Sequence, residues 1–589
     1  MNMNSANETC FLSRLLLGCA FFLASCGGDN QDADEGCTPA VANSPQQTRA
    51  EIATCTSAIF SGGVVVSGQA LYQYRPVTIK GLGTAANKPI RHAEIRVTDA
   101  GGALIQCGTT DGAGNFSLNL PQNTAGMTLA VNSRIAGNAG YASVLSDHCS
   151  GYYSITAPVT TGGANLQLGT LSAAVDHPGG AFNILDRIVD ANTYLAQQVT
   201  GDNCKNLGCS PFPNNQKVSI YWKLGKNPAE YYGSDSALSF YVPTARQLYI
   251  LGGQNGNYTT ADTDHYDNSV IVHEYAHFIE DVYSKTDSPG GMHSADGTID
   301  ARLAFGEGLA NFFQGTVLKE SCRTDESVAY CDTRGNPLGS TGLLINYGLE
   351  NQDTVDMPVA SGEGNFREFS IARFLFDMVD SAAEAGDAAD TLSFSHIWAV
   401  LTGSSFLNPS TKFRNMGLFH EIYRGLAGRS DLSSLYSLHK HDSDQREYGV
   451  TLTANYCTRV IGTPDTHVLG DFASSNHHSA NDFFRYYHSG GSLQVRLDYT
   501  TNPTFPVDLD LYIYRDGYVF GNEQTVAAFS EQYHPTASAT ASETATGTLV
   551  AGDYMINVRQ YQFVKDSNQD PQKATYSLKI NGVDRCPSY

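Results

Sequence analysis

A chain of 589 residues is too long for a single hydrophobic core, so roughly two to four domains are expected. Apolar residues at 41% fit globular folding, while only 16% charged residues with 57 Gly and 32 Tyr favour a β-rich, loop-rich exported chain over a helical cytosolic one. The net charge of −23 repels phosphate and argues against nucleic acid as a partner; it serves solubility first, with bound divalent cations as the second reading.

At the N-terminus, Arg14 precedes the apolar run Leu15 to Ala24, which has the length of a signal-peptide core and is too short to span a bilayer. The run ends in Leu23-Ala24-Ser25-Cys26, followed by Gly27-Gly28-Asp29-Asn30. This resembles a bacterial lipobox, in which the Cys is diacylated and becomes the new N-terminus. The resemblance implies lipidation at Cys26, a stable membrane anchor, and, with Gly27 after the Cys, an outer-membrane lipoprotein facing the periplasm or the cell surface. A plain secretory peptide is the alternative. Residues 1–26 are thus read as signal peptide and lipobox, and the polar stretch 27–58 as a tether.

Thirteen cysteines fit export. Setting aside Cys10, Cys19 and Cys26 leaves an even number for disulfides. Spacing suggests Cys204–Cys209 and Cys322–Cys331 as loop staples, Cys107–Cys149 within a first β-domain, and Cys457–Cys586 bracketing the last; connectivity itself stays open at this level. No CxxC pair is present, which argues against a zinc-thiolate site.

From residue 59 to 172 the pattern is short alternating strands: Val64 to Ala70, Ala93 to Val97 and Asn115 to Leu120, with turns at Asp111-Gly112 and Ala113-Gly114. The run Lys88 to Val97, then Thr110-Asp111-Gly112-Ala113-Gly114-Asn115-Phe116, resembles carboxypeptidase-regulatory-like β-sandwiches, which implies a spacer or folding aid without chemistry of its own.

Residues 173–460 change character. Ala181 to Val199 reads as an amphipathic helix. Strands Lys217 to Trp222, Ala237 to Val242 and Gln247 to Leu251 follow, then helices Ser269 to Ser284, Phe305 to Leu318, Ser370 to Ala383 and Phe394 to Leu401. This is an α+β reading.

After Cys457 strands return: Ser492 to Tyr499, Leu509 to Arg515, Gly552 to Gln560 and Ala574 to Ile580. The Ser/Thr/Ala-rich Thr536 to Thr548 reads as an exposed loop. Asp508-Leu509-Asp510-Leu511-Tyr512-Ile513-Tyr514, with Ala551-Gly552-Asp553-Tyr554-Met555-Ile556-Asn557-Val558, resembles the pre-peptidase C-terminal β-sandwich, and residues 461–589 are assigned to it. Asp508 and Asp510 are candidates for a structural Ca2+, with solvated strand ends as the plainer reading.

The chemistry centres on His273-Glu274-Tyr275-Ala276-His277, an H-E-x-x-H match. On a helix, positions i and i+4 share a face, so both imidazoles reach one zinc ion, and Glu274 reaches a water in its open position. Asp267 or Asn268 is placed to cap that helix. Downstream, Ala304-Phe305-Gly306-Glu307-Gly308-Leu309-Ala310-Asn311 carries a carboxylate in an apolar stretch, where a metal would offset its burial; a surface salt bridge is the alternative. Strands ending near Leu251-Gly252-Gly253 offer an edge for an extended substrate.

The pattern H-E-x-x-H … G-E-G-x-A resembles the gluzincin clan of zinc peptidases. The resemblance implies one catalytic Zn2+ held by His273, His277 and Glu307, Glu274 as general base, and Asn311 as a group orienting a zinc histidine where thermolysin-like enzymes place a carboxylate. The 29 residues between His277 and Glu307 exceed the thermolysin spacing, and Asp281 to Phe305 reads as a loop over the site. Candidates for the oxyanion donor are Tyr347, His396, His420, Tyr423 and His293.

The sequence therefore reads as a multidomain chain: a β-sandwich, an α+β zincin-like catalytic domain, and a C-terminal β-sandwich. The expected activity is zinc-dependent endopeptidase cleavage of a protein or peptide substrate. An aminopeptidase ranks lower, since no G-x-M-E-N-type strand motif precedes His273. The other alternative is a catalytically inactive zincin-fold surface lipoprotein acting in adhesion or in glycan or protein binding; an intact Glu274 argues against it.

Overall fold

The computed structural model describes residues 60–587, apart from 147–150, 233–236, 291–292, 294–298, 326, 334–341, 351–362, 381–391, 410–411, 427–430, 440, 442–448, 463–480, 516–525, 535–538, 562–565 and 569–571. Cys26 and the tether lie outside this range. Among the described residues no helix is long and apolar enough to cross a membrane.

The first region is two small sheets. Val64–Tyr74 is the hub of one, pairing with Leu166–Ala173, Ala86–Pro89 and Asn115–Leu120. Glu94–Thr98, Leu104–Thr109, Met127–Asn132 and Ser154–Val159 form the other. Alternate residues such as Val66, Ile95, Val97, Phe116, Leu118, Leu129 and Val131 point into a common core, as the period-2 pattern requires.

One sheet crosses position 172. Its order is Phe240–Val242, Gln247–Tyr249, Lys217–Tyr221, Gly140–Leu145, Arg134–Gly137. Residues on either side of 172 therefore share a sheet, and a continuous apolar core runs from Val66 to Tyr436. Polar contacts reinforce the junction. The Tyr72 hydroxyl, from a strand, donates to Asp186 Oδ2 at 2.8 Å, and Arg91, from the connection before Glu94–Thr98, bonds Asp186 and Asp190 at 2.6 Å each on the helix Gly179–Gln198.

Two helices pack against each other beside that sheet, the first of them against its edge strand Phe240–Val242. Asn268–Tyr283 is buried along its first three turns. Its N-cap is Asp267, but the Asp267 carboxylate accepts from Thr333 N and Oγ1 at 3.0 and 2.9 Å instead of from its own helix. Ala301–Leu318 is capped by Asp300, whose Oδ1 accepts from Arg302 N, and is buried on every side from Ala301 to Thr316. Its glycines lower intrinsic helix propensity by about 1 kcal/mol each. Burial on all faces supplies the stability, and the small residues permit close packing. A β-carbon added at Gly308 would lie 2.7 Å from Glu368 O and from the Ile371 side chain, so this position lets the helix Glu368–Asp377 pack directly alongside.

The C-terminal strands form one connected ten-stranded array that begins at Val450–Thr453, pairing with both Asn481–His488 and Val583–Pro587. It folds over a core of Leu493, Val495, Leu497, Leu511, Ile513, Ile556, Val558, Leu578 and others. Two expectations are corrected here. The Ser/Thr/Ala-rich segment is not a loop: Thr540–Leu549 is a strand in full register with Gly491–Thr501. Its alternation turns Glu543 and Ala545 inward while the β-branched threonines suit the pleat. Nor are Asp508 and Asp510 solvated strand ends. Both are buried; Asp508 accepts from the Tyr499 hydroxyl at 3.2 Å, and Asp510 faces Arg559 at 3.4 Å.

Three expected disulfides are present: Cys204–Cys209, Cys322–Cys331 and Cys457–Cys586. Cys107 is disulfide-bonded too, and Cys149, its expected partner, lies outside the described residues.

Candidate metal centre

His273 and His277 lie one turn apart on the Asn268–Tyr283 helix, and Glu307 faces them from Ala301–Leu318. Three donor atoms converge. His273 Nε2 is 3.2 Å from His277 Nε2; Glu307 Oε2 is 3.1 Å from the first and 3.4 Å from the second. Ligands about 2.0–2.1 Å from a tetrahedral zinc stand about 3.3 Å apart, so this triangle has the size of one face of a zinc coordination sphere. Glu307 is buried, so the surface salt-bridge alternative does not describe it.

Asn311 lies one turn beyond Glu307. His273 Nδ1 donates to Asn311 Oδ1 at 2.8 Å, so in the neutral ring Nε2, turned to the triangle, would carry the lone pair a metal takes. Glu274, on the same helix and buried, has a carboxyl raised above its usual range by burial, partly countered by His273 and His277.

The three groups perturb one another strongly. Burial alone would raise Glu307, but His293, His277 and the histidine hydrogen bonds hold it well below the carboxylate range. Burial would lower His277, yet Glu307 beside it pushes it up to about 9.

The Asp281 to Phe305 segment does bring a residue to the site. His293 Nε2 is 3.8 Å from Glu307 Oε1, and its Nδ1 donates to Glu368 Oε2 at 2.9 Å. Burial opposes the charged ring, but Glu307 and Glu368 outweigh it and raise His293 to about 10.

The other oxyanion candidates have different surroundings. Tyr347 sits opposite Tyr330 in the hairpin of Ala329–Thr333 and Leu343–Gly348 and packs on Phe369. His396 contacts Ser393 at a helix start. His420 is bonded to the Tyr436 hydroxyl at 2.9 Å and packs edge-on to Phe374, and Tyr423 stacks on Phe419 in the core.

Three neighbours of the site escape the sequence reading. The Tyr330 ring packs edge-on to His273 with centroids 5.8 Å apart. Glu368 orients His293. Glu280 is buried, and burial followed by Glu307 lifts it to about 7 despite His277. Only Glu280 has a local signal, since three residues after His277 it shares the helix face. Tyr330 and Glu368 arrive through tertiary packing.

No family model matches the chain, and no curated protein matches it. Among solved structures, the chain is similar to the pre-peptidase C-terminal domain of collagenase from Bacillus anthracis at 10% identity, over 22% of this chain and 93% of that one, with a TM-score of 0.14. It is also similar to the Paenibacillus sp. cycloisomaltooligosaccharide glucanotransferase complexed with cycloisomaltoheptaose, at 9% identity over 87% of this chain and 72% of that one, with a TM-score of 0.13. Likenesses at these scores carry no argument about fold or function.

Proposed function

We propose that this chain is a zinc-dependent endopeptidase with a zincin-like catalytic unit. The observation that carries the reading is the triangle of His273 Nε2, His277 Nε2 and Glu307 Oε2, with sides of 3.1–3.4 Å. Two imidazoles and a carboxylate are a catalytic zinc set, which leaves a fourth position for substrate. A zinc ion bound there supplies Lewis acidity to a scissile carbonyl and acidifies a water.

The chain's own groups do the remaining work. Asn311 holds His273 in the tautomer that presents Nε2. Glu274 takes the proton of the attacking water and passes it to the leaving amine. His293, oriented by Glu368, donates to the developing oxyanion. Phe240–Val242 is the edge strand of its sheet and lies against the Asn268–Tyr283 helix, where Tyr241 donates to Asp281 at 2.8 Å. An extended peptide pairs with that edge and runs past the site. With acylation at Cys26, the enzyme works at the outer membrane on exported proteins or peptides.

Zinc content and cleavage of a fluorogenic peptide library by the purified chain test the reading. Stoichiometric zinc with cleavage supports it. Zinc without any cleavage turns the assignment to an inactive binding lipoprotein.

A further inference from the structure

A second cluster of potential ligands lies outside the histidine site. Asp262 and Asp264 come from the loop that leads into the Asn268–Tyr283 helix, and Asp332 comes from the strand Ala329–Thr333. Each offers a carboxylate oxygen, and the three oxygens lie within 4.8 Å of one another. Oxygens bound to one Ca2+ at about 2.4 Å are at most about 4.8 Å apart, so a single ion reaches all three.

Acidic clusters on a surface need no cation, but this one is mostly enclosed. Asp264 is 4% exposed and Asp332 9%. Asp264 Oδ2 accepts from the Ser239 hydroxyl at 2.5 Å, while Asp264 Oδ1 and Asp332 Oδ1 are buried and, among the described residues, accept from no group. Among the described residues neither carboxylate meets a Lys, Arg or His in an ion pair. Thr263 Oγ1, between the two loop aspartates, is likewise buried with no partner among the described residues. Two buried carboxylates, each with an oxygen that no described protein group satisfies, are expensive to bury, and a shared cation removes that cost.

The loop is held independently of any ion. Asp264 N donates to Leu251 O at 2.8 Å, Asp267 N donates to Asp264 O at 3.0 Å, and Ser239 Oγ accepts from Leu251 N at 2.9 Å. Asp264 is therefore positioned without the help of an ion.

We propose that Asp262, Asp264 and Asp332 bind a Ca2+ ion that ties the loop before the Asn268–Tyr283 helix to the strand Ala329–Thr333. The donors are all hard oxygens, which suit Ca2+ and not zinc. A largely enclosed site also disfavours Mg2+, which keeps several waters. Asp332 and Tyr330 are two residues apart on one strand and share a face, and Tyr330 packs on His273. The ion braces the strand that carries this ring.

The test uses the full chain, stripped with chelator and titrated with Ca2+ while Tm is followed; Tb3+ luminescence excited through tyrosine is the second readout. A saturable Tm rise of several degrees at millimolar Ca2+, and Tb3+ emission displaced by Ca2+, are expected. Asp264→Asn with Asp332→Asn removes both responses. The metal-free double variant should be no less stable than the metal-free parent, because carboxamides remove the mutual repulsion. Asp262→Asn, at the less buried position, weakens Ca2+ affinity at least about tenfold without altering the enclosed pair. The site is refuted by a flat Ca2+ titration, by a response that survives in the double variant, or by unchanged affinity in Asp262→Asn. His273→Ala with His277→Ala keeps the Ca2+ response, so failure here and failure of the zinc reading are told apart.

Discussion

The Asn311 amide oxygen accepts a hydrogen bond from His273 Nδ1 at 2.8 Å, joining two helices across the candidate metal centre. It fixes which imidazole nitrogen faces Glu307. Without it the ring is free to turn or to exchange tautomer. Asn311→Ala should weaken zinc binding about 10–100-fold, the usual effect of losing a partner that orients a ligand. Competition against a chromogenic chelator measures this, and unchanged affinity would remove Asn311 from the site.

Glu307 and Glu274 should separate binding from turnover. Glu307→Ala deletes one corner of the ligand triangle, so zinc should be lost together with any cleavage. Glu274→Gln keeps the three donors and removes the base, so zinc content should stay near one per chain while peptide cleavage falls by about 10²-fold or more. Metal analysis beside the peptide assay reads both. Full turnover in Glu274→Gln would sink the mechanism.

Helix contact at Gly308 is predicted to matter more than the neighbouring Gly306. A methyl at 308 meets backbone and side chain at 2.7 Å, and neither Glu368 O nor Ile371 can swing away. Gly308→Ala should destabilise by about 1–3 kcal/mol and shift Glu368, hence His293. At Gly306 the nearest atom to an added methyl is Glu280 Oε2 at 3.6 Å, an ordinary contact. Gly306→Ala should be neutral or stabilising by up to about 1 kcal/mol through helix propensity. Thermal unfolding of the two variants side by side decides it.

His439 defines a pH window for stability. It is buried between Glu363 and Asp377, at 3.1 and 2.7 Å. Burial alone would lower its pKa, but the two carboxylates raise it from 6.5 to about 9. A raised histidine contributes fully below its unfolded value, so this contribution is complete below 6.5 and is lost as pH rises through 9. Burial would raise Glu363, but Arg373 and His439 hold it at about 2 against 4.5 unfolded, so its contribution is complete above 4.5 and is lost as pH falls toward 2. The two windows overlap between 4.5 and 6.5. The alkaline loss is on the order of 3 kcal/mol. His439→Gln should lower Tm at pH 6 and flatten its decline between pH 7 and 9; an equally steep decline would assign the slope elsewhere.

The local pattern was enough for much of the fold. Period-2 alternation located strands such as Asn115–Leu120 and Leu509–Arg515. Helical spacing located Asn268–Tyr283 and placed His273 and His277 on one face. It misread Thr540–Leu549, because small hydroxyl residues resemble a loop in composition while their alternation fits a pleat against Gly491–Thr501. It also misjudged Asp510, whose partner Arg559 arrives from a strand 49 residues away.

What the sequence determined by itself was the pair of imidazoles, because an i, i+4 spacing is a property of one helix. What only the tertiary structure decided was everything that two elements make together. The Ala301–Leu318 helix brings Glu307 within 3.4 Å of both histidines and Asn311 behind the first, after 29 intervening residues. Glu368 orients His293 from 75 residues away, and Asp332 meets Asp262 and Asp264 from the far side of the Asn268–Tyr283 helix in sequence. Chain distance carries no metric information once the backbone turns. Burial, close helix contact at Gly308 and strand pairing set those separations, and they exist only when the whole core has formed.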